Sequence, residues 1–229
     1  MNLRTLIFGI AIVVFIFAFL LVFYGDKKSK KYTFNVKQIV RVAIFGALSG
    51  IFYIFIKFPV PFLPSFLEFH FDEIPAFIAS FAYGPITGIL VLLVKTLIKL
   101  PFTTTLGVGE LSDLVYSFVF IVPASLIYKR HRNFKNVILG LSIGTILQLG
   151  VSLLGNIYVM IPFYMKVMGL SKETILGICN IANTNIKNLG FSYGLIAVLP
   201  FNAIKDGLVI FVTLFSYKAM HNFIDKLHE

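Results

Sequence analysis

Long apolar runs separated by short polar segments dominate the chain. A membrane-spanning helix needs about 20 mostly apolar residues, and the first run, Leu3 to Tyr24, contains one charged residue, Arg4. Later helices are predicted at about 39–56, 73–83, 85–99, 110–128, 136–163 and 187–218. The pattern therefore predicts an all-α integral membrane protein, with a six-helix core preceded by one additional N-terminal transmembrane helix.

The breaks between the runs divide the chain into three parts. Residues 1–24 form a predicted anchor helix, residues 25–37 a basic linker, and residues 38–225 the six-helix membrane domain. The first run could instead be a signal peptide, but it is longer than a typical apolar signal region and no small-x-small site precedes the linker. Within the membrane domain, the Pro/Phe-rich stretch 58–64 cannot be regular helix, because proline removes backbone donors.

The composition supports a lipid-embedded protein. Hydrophobic residues make up 58% of the 229 residues and charged residues only 13%, against about 45–50% and about 25% in soluble domains. A cytosolic enzyme, a disordered chain and a coiled coil are therefore excluded. The single cysteine, Cys179, excludes an intrachain disulfide and a cysteine-based metal site.

The distribution of charge predicts the orientation. The chain carries a net charge of +10. If every run spans, the segments around the linker, around residues 129–135 and at the C-terminus share one side and carry a net charge of +9, whereas the opposite half is neutral. The positive-inside rule then predicts a multi-pass cell-membrane protein with a cytoplasmic linker and C-terminus and an extracytoplasmic N-terminus. Because the membrane topology accounts for the excess of basic over acidic residues, a nucleic-acid partner is not predicted.

Motifs for catalysis are weak. Two G-x-S-x-G matches, at 140–144 and 190–194, lie within or at the ends of apolar runs, whereas the hydrolase elbow needs a strand, a turn and a helix. We interpret them as small residues that let helices approach closely. No P-loop and no H-E-x-x-H motif occurs, so no catalytic residue and no metal site are predicted.

One predicted helix carries a stripe of small residues. They recur at i, i+3, i+4 and i+7 and therefore share a face of helix 39–56. We predict that this face docks another membrane helix, in this chain or on a partner. Its members are Ala43, Gly46, Ala47 and Gly50.

Polar residues within the apolar runs collect near the predicted outer side. Ionisable groups inside spans are costly and are functional-site hypotheses by default. Together with the Pro/Phe-rich loop they predict an outward-facing pocket for a small molecule. These residues are Lys95, Lys99, Glu110, Asp113, Asn156, Asn202 and Lys205.

Each of these residues also has a simpler interpretation. Lys95 and Lys99 could extend to the membrane interface. Asn156 could bond only a neighbouring helix. Lys205 could pair with Asp113 or with the adjacent Asp206.

Several stretches together resemble the substrate-binding S component of energy-coupling-factor (ECF) vitamin transporters, and within that group the riboflavin-specific ones. The more specific stretches are K-F-P-V-P-F-L-P at 57–64 and P-F-N-A-I-K at 200–205. Further matching stretches are 71–76, 83–88, 94–95, 107–111 and 156–162. The resemblance covers about residues 38–225.

The resemblance implies a function and its partners. It implies capture of riboflavin from outside, and delivery inward with a membrane coupling subunit and two cytoplasmic ATPases. It implies that Ala43-x-x-x-Ala47 docks the coupling subunit and that Asn156, Asn202 and Lys205 bind the flavin. The rest of the predicted binding set consists of the loop residues Phe62, Pro64 and His70 and the helix residues Lys95, Glu110 and Asp113.

The sequence also departs from the family pattern. His70 to Pro75 stand where the family often has Asp-x-x-Asp-x-Pro, and Asp113 stands where it often has Asn. About a dozen additional residues, near 172–187, precede the last helix. A flavin nucleotide or another vitamin therefore stays open as the ligand. A membrane assembly partner without a ligand is the non-transport alternative, and a membrane hydrolase is the weakest.

Overall fold

The computed structural model describes residues 35–59, 63–64 and 66–226, without the side chains of residues 220–226. The predicted anchor helix 3–24, most of the linker and the predicted site residue Phe62 lie outside the described residues.

The first helix and a short hairpin begin the described part. Helix α1, Val36–Phe55, starts where the Asn35 side chain accepts a hydrogen bond from the Gln38 backbone N–H at 2.9 Å. Strands β1, Lys57–Pro59, and β2, Glu68–His70, then pair antiparallel, with Lys57 opposite His70. Of the Pro/Phe-rich stretch, residues 58–59 thus lie in strand β1 and residues 63–64 in the segment between the strands, so none of these four is in a helix, as the proline pattern predicts.

Three helices follow the hairpin. Helix α2, Glu73–Tyr83, and helix α3, Pro85–Lys99, meet at Gly84, whose φ of +96° suits glycine, and Pro85 opens α3 where its missing N–H costs nothing. A 3₁₀ turn, Leu100–Phe102, leads to helix α4, Val108–Arg130.

The last elements contain two π-helical segments. Helix α5, Phe134–Gly155, continues through a π segment, Asn156–Met160, into α6, Ile161–Lys166. After α7, Lys172–Ala182, the short α8, Phe191–Tyr193, continues through a second π segment, Gly194–Val198, into α9, Leu199–Lys226. Such π segments are rare and often mark functional sites; here one begins at Asn156 and the other ends four residues before Asn202.

Helices occur at all six predicted core positions, but the count of six plus one transmembrane helices is not confirmed. Within the described residues, five helices are long and apolar enough to cross a membrane: Val36–Phe55, Pro85–Phe102, Val108–Arg130, Phe134–Lys166 and Phe191–Ala219. Helix α2 has only 11 residues. Helix α7 was not predicted, because polar residues on its surface interrupt the apolar run on which such a prediction depends.

Two apolar cores hold the bundle together. The larger one lies between α2, α3 and α4 and includes Phe77, whose ring meets that of Phe120 edge to face at 4.8 Å. The smaller one lies beneath the hairpin, where Phe69 of β2 stacks on Phe201 of α9 at 5.0 Å. The hairpin is therefore anchored to the last helix by aromatic packing.

The G-x-S-x-G match at 140–144 is a helix contact, as interpreted from the sequence. Gly140 faces the backbone of Ala124 and Gly144 faces the carbonyl oxygen of Phe120 on α4, so α4 and α5 approach closely. In the second match, the Ser192 hydroxyl closes the loop before α8 by accepting from the backbone N–H groups of Lys187 and Asn188, at 3.0 and 2.9 Å. It is thus already used in folding.

The predicted docking stripe on α1 divides between two surroundings. Gly46 and Gly50 are buried, against Val94 and Ile98 of α3. Ala43 and Ala47 are exposed. The glycines therefore pack inside the chain, and docking of a partner stays a prediction for the two alanines.

The close contact of α4 and α5 predicts an asymmetric response to two glycine substitutions on α5. Gly144→Ala places a methyl group against the Phe120 carbonyl and is expected to destabilise the protein by about 1–3 kcal/mol. Gly150→Ala meets nothing within 4 Å and is expected to stabilise it by up to about 1 kcal/mol through helix propensity. Thermal unfolding in detergent measures both; equal midpoints would contradict the packing described.

Candidate functional site: a buried cluster of ion pairs beneath the hairpin

One strand, one turn and four helices bring charged and imidazole side chains to one buried place under the hairpin. They come from the end of β2, the turn after it, the start of α2, and from α3, α4 and α9. The members of this cluster are His70, Asp72, Glu73, Lys95, Asp113 and Lys205. We call this set the charged cluster.

Lys95 is fully enclosed in the charged cluster, with 0% of its surface exposed. Its ammonium group pairs with the Asp72 carboxylate and donates to Asp113 Oδ2 at 3.0 Å and to Ser117 Oγ at 3.1 Å. Lys95 therefore does not extend to the interface, which was the simpler alternative. A buried ammonium needs such partners, because an unpaired charge in low dielectric is costly.

Lys205 is the second cation and connects α9 to α2 and α4. Its Nζ donates to Glu73 Oε1 at 2.7 Å and lies 3.7 Å from Asp113 Oδ1. Of the two pairings that the sequence left open, the structure contains the one with Asp113 and not the one with Asp206. Asp206 is 0% exposed, and neither of its carboxylate oxygens has a hydrogen-bond partner among the described residues.

His70 links the hairpin to the charged cluster. Its Nδ1 pairs with the Asp72 carboxylate, and its Nε2 lies 3.5 Å from both Asp113 Oδ1 and Lys205 Nζ. The Tyr53 ring covers the imidazole, with centroids 4.7 Å apart. Through His70, the hairpin is therefore in direct contact with the ion pairs below it.

Asp72 occupies the turn between the hairpin and α2, outside the five long apolar helices. Its backbone carbonyl also accepts a hydrogen bond from the Ser49 hydroxyl of α1. Burial alone would raise the pKa of its carboxyl, but the charges of Lys95, His70 and Lys205 hold that pKa well below its ordinary value. Asp72 is therefore ionised at neutral pH.

The ligand atoms of His70, Asp72 and Glu73 lie within 4.8 Å of one another, a spacing that also suits a metal ion. Here, however, the ammonium groups of Lys95 and Lys205 pair with Asp72 and with Glu73. Two fixed positive charges against the same carboxylates disfavour a divalent cation. The ion pairs therefore disfavour a metal ion at this place.

The predicted amides make hydrogen bonds outside the charged cluster. Asn156 donates to the Ser152 carbonyl oxygen at 2.9 Å and accepts from the Tyr193 hydroxyl at 3.3 Å. Asn202 donates to the Val198 carbonyl oxygen at 2.8 Å. Both side chains are buried, and each still has hydrogen-bonding capacity beyond these contacts.

Other predicted residues lie apart from the ion pairs. Glu110 accepts hydrogen bonds from the Thr103 and Thr105 hydroxyls, at 2.8 and 3.0 Å, at the start of α4. Pro64 is buried in the hairpin loop, where its carbonyl oxygen accepts from the Leu67 N–H at 2.9 Å. Lys99 is buried, with its Nζ 5.2 Å from the centre of the Tyr53 ring.

A cover of apolar side chains lies over the site. Ile175 and Cys179 of α7 join Leu67 and Phe69 in the smaller core. Burial raises the pKa of the Cys179 thiol to about 11, so the thiol stays protonated and packs as an apolar group. The additional segment 172–187 therefore adds a helix to the cover of the site.

Several functional candidates were not predicted from the sequence. The sequence feature that could have identified Asp72 and Glu73 is that they are adjacent acids at the start of an apolar helix. Gln148 is a lone amide in a long apolar run; it is buried and donates to Asn202 Oδ1 at 3.1 Å. Sequence periodicity could not identify their partners, because those lie 23 to 132 residues away.

Comparison with known proteins agrees with this architecture. The profile of the family described as "ECF transporter, substrate-specific component" matches residues 37–217. Riboflavin transporter RibU of Staphylococcus aureus (strain TCH60) is 34% identical over 195 residues, which cover 84% of this chain and 96% of that protein. Riboflavin transporter FmnP of Bacillus subtilis (strain 168) is 26% identical over 181 residues, covering 78% and 88%.

A solved structure is also similar. It is described as the S component of a bacterial ECF transporter, has a TM-score of 0.64 and 31% sequence identity, and covers 82% of this chain and 97% of that one. The fold is thus that of a multi-pass membrane protein of the transporter class. The chain belongs to the family of substrate-specific components of ECF transporters, which confirms the resemblance seen in the sequence.

The buried carboxylates predict opposite effects for two chemically identical substitutions. Asp113→Asn removes the anion that pairs with Lys95 and is expected to destabilise the protein by about 1–3 kcal/mol. Asp206→Asn removes a buried carboxylate without a partner among the described residues and is expected to stabilise it by about 1 kcal/mol. Thermal unfolding in detergent measures both shifts; the same sign for the two variants would contradict the assignment of partners.

Proposed function

We propose that this chain is the riboflavin-binding subunit of an ECF transporter, which captures the vitamin outside the cell. The main support is that Lys205 of the charged cluster and Asn202 lie buried on one turn of α9. Relatives named riboflavin transporters, 34% and 26% identical to this chain, support this ligand.

The chemistry of the site suits a flavin. Riboflavin has a flat ring with an imide, in which an N–H lies between two carbonyl groups, and a polyhydroxyl chain. Phe69, Phe201 and Tyr53 offer apolar and aromatic surface beside the polar groups. The amides of Asn156 and Asn202 and the ammonium of Lys205 supply donors and acceptors for the hydroxyl and carbonyl groups. Small-molecule sites orient their ligand and obtain specificity through such a combination of apolar surface and a few polar groups.

The energy for transport comes from other subunits in this proposal. The chain has no P-loop, and its family belongs to ECF transporters. A membrane coupling subunit and two cytoplasmic ATPases would complete the transporter. With the basic linker and C-terminus in the cytoplasm, the charged cluster and hairpin face outward.

A flavin nucleotide is the second candidate ligand, and Lys99 is the observation that favours it. Lys99 is buried beside the Tyr53 ring, where its ammonium could meet a phosphate group. Competition between riboflavin and FMN for the purified protein separates the two: tighter binding of FMN would favour the nucleotide.

Binding of riboflavin is expected to be submicromolar, with quenched flavin fluorescence. Asn202→Ala and Lys205→Ala each remove a polar contact and are expected to weaken binding by about tenfold or more, since an unpaired buried group costs about 1–3 kcal/mol. Phe211→Ala, on the lipid-exposed side of α9, is the matched control and is expected to bind normally. Unchanged affinity in both site variants would remove these residues from the site.

Docking of the coupling subunit on α1 predicts a separation of binding from uptake. Ala47→Trp places a large ring on the exposed small-residue surface and is expected to abolish riboflavin uptake by cells while leaving binding to the purified protein intact. Leu48→Trp, which points about 100° away around the helix, is the control and is expected to transport normally. Normal uptake by the Ala47 variant would refute docking at this position.

A further inference from the structure

Gln148 of α5 is a buried amide whose role the charged cluster does not explain. It is 1% exposed and donates from Nε2 to Asn202 Oδ1 at 3.1 Å, while its Oε1 has no hydrogen-bond partner among the described residues. A buried acceptor without a donor is costly. Such an atom inside a binding domain indicates a donor that comes from elsewhere.

The orientation of both amides follows from one backbone carbonyl. The Val198 oxygen can only accept, so it requires the Nδ2 side of Asn202, which donates to it at 2.8 Å. The Oδ1 of Asn202 must then face the other way, toward α5. Because Oδ1 is also an acceptor, Gln148 must present its Nε2 to it. The Oε1 of Gln148 is thereby left as the free acceptor.

The two amides thus retain one acceptor, Gln148 Oε1, and one donor. Nδ2 of Asn202 carries two N–H groups, and the Val198 carbonyl uses one of them. The imide edge of a flavin places an N–H donor between two carbonyl acceptors, and its side chain carries hydroxyl groups that donate and accept. Either group complements the pair formed by Gln148 Oε1 and the second N–H of Asn202.

We propose that Gln148 determines flavin specificity: its Oε1 accepts a hydrogen bond from an N–H or O–H group of the ligand, while its Nε2 holds the amide of Asn202 in the binding orientation. This inference rests on the proposed function and adds to it a residue on α5. Sites that hydrogen-bond a ligand donor discriminate strongly against analogues that lack it, because their own polar group is then left unpaired.

The test compares three ligands on the wild type and on Gln148→Met, which keeps the length of the side chain without its amide. Riboflavin is compared with 3-methylriboflavin, which lacks the imide N–H, and with lumiflavin, which lacks the hydroxyl chain. Fluorescence quenching gives each Kd. Wild type is expected to disfavour one analogue by about tenfold or more, and Gln148→Met to weaken riboflavin and lose that discrimination. The analogue that the wild type disfavours shows whether the donor of the ligand is the imide N–H or a hydroxyl group.

A structural role for Gln148 predicts another result. Equal weakening of all three ligands in Gln148→Met, unchanged riboflavin affinity, or a wild type that disfavours neither analogue would overturn the inference. In each of these cases the wild type still binds riboflavin, so the proposed function stands. A wild type that binds no flavin overturns the proposed function itself. Leu147→Met introduces the same side chain at the neighbouring, exposed position and is the control for introducing a methionine into this helix.

A second variant keeps the inference testable if Gln148→Met does not fold. In Gln148→Glu a neutral carboxyl reproduces the amide, because its O–H donates to Asn202 Oδ1 and its carbonyl oxygen accepts. Ionisation removes that donor and sets two acceptors against each other. Affinity of this variant relative to wild type is therefore expected to fall as pH rises through the pKa of the new carboxyl. A ratio independent of pH would count against the orientation described.

Discussion

The pairing of two buried ammonium groups with three carboxylates holds the functional end of this protein together. Lys95 and Lys205 come from α3 and α9, and they meet carboxylates from α4, from the start of α2 and from the turn before it. Because an unpaired charge is costly in a buried place, each helix must keep its position for the others to be satisfied. The hairpin joins this arrangement through His70.

The same constraint gives the site its chemical character. Three carboxylates, two ammonium groups and the imidazole of His70 face one another in this place. The fixed ion pairs make a rigid polar floor, while the amides of Asn156, Asn202 and Gln148 lie within the bundle with unused hydrogen-bonding capacity. Rigid groups that are already oriented discriminate between ligands better than flexible ones, since less order has to be imposed on binding.

Much of the fold could be predicted from the sequence, because the apolar runs are long and proline and glycine mark their ends. Helix α7 could not, since a short amphipathic helix at a surface lacks the apolar run that identifies a span. In the site, the sequence identified Lys95, Asp113, Asn202 and Lys205 as polar groups in apolar surroundings. It could not assign Glu73 as the partner of Lys205, because that pairing joins residues 132 positions apart.

Whether this site binds riboflavin is measured most directly by mass spectrometry of the small molecule released from the purified, denatured protein, together with the absorption spectrum before release. We expect a yellow protein that releases riboflavin in a ratio close to one per chain. A colourless protein that releases no flavin, even after incubation with riboflavin, would contradict it.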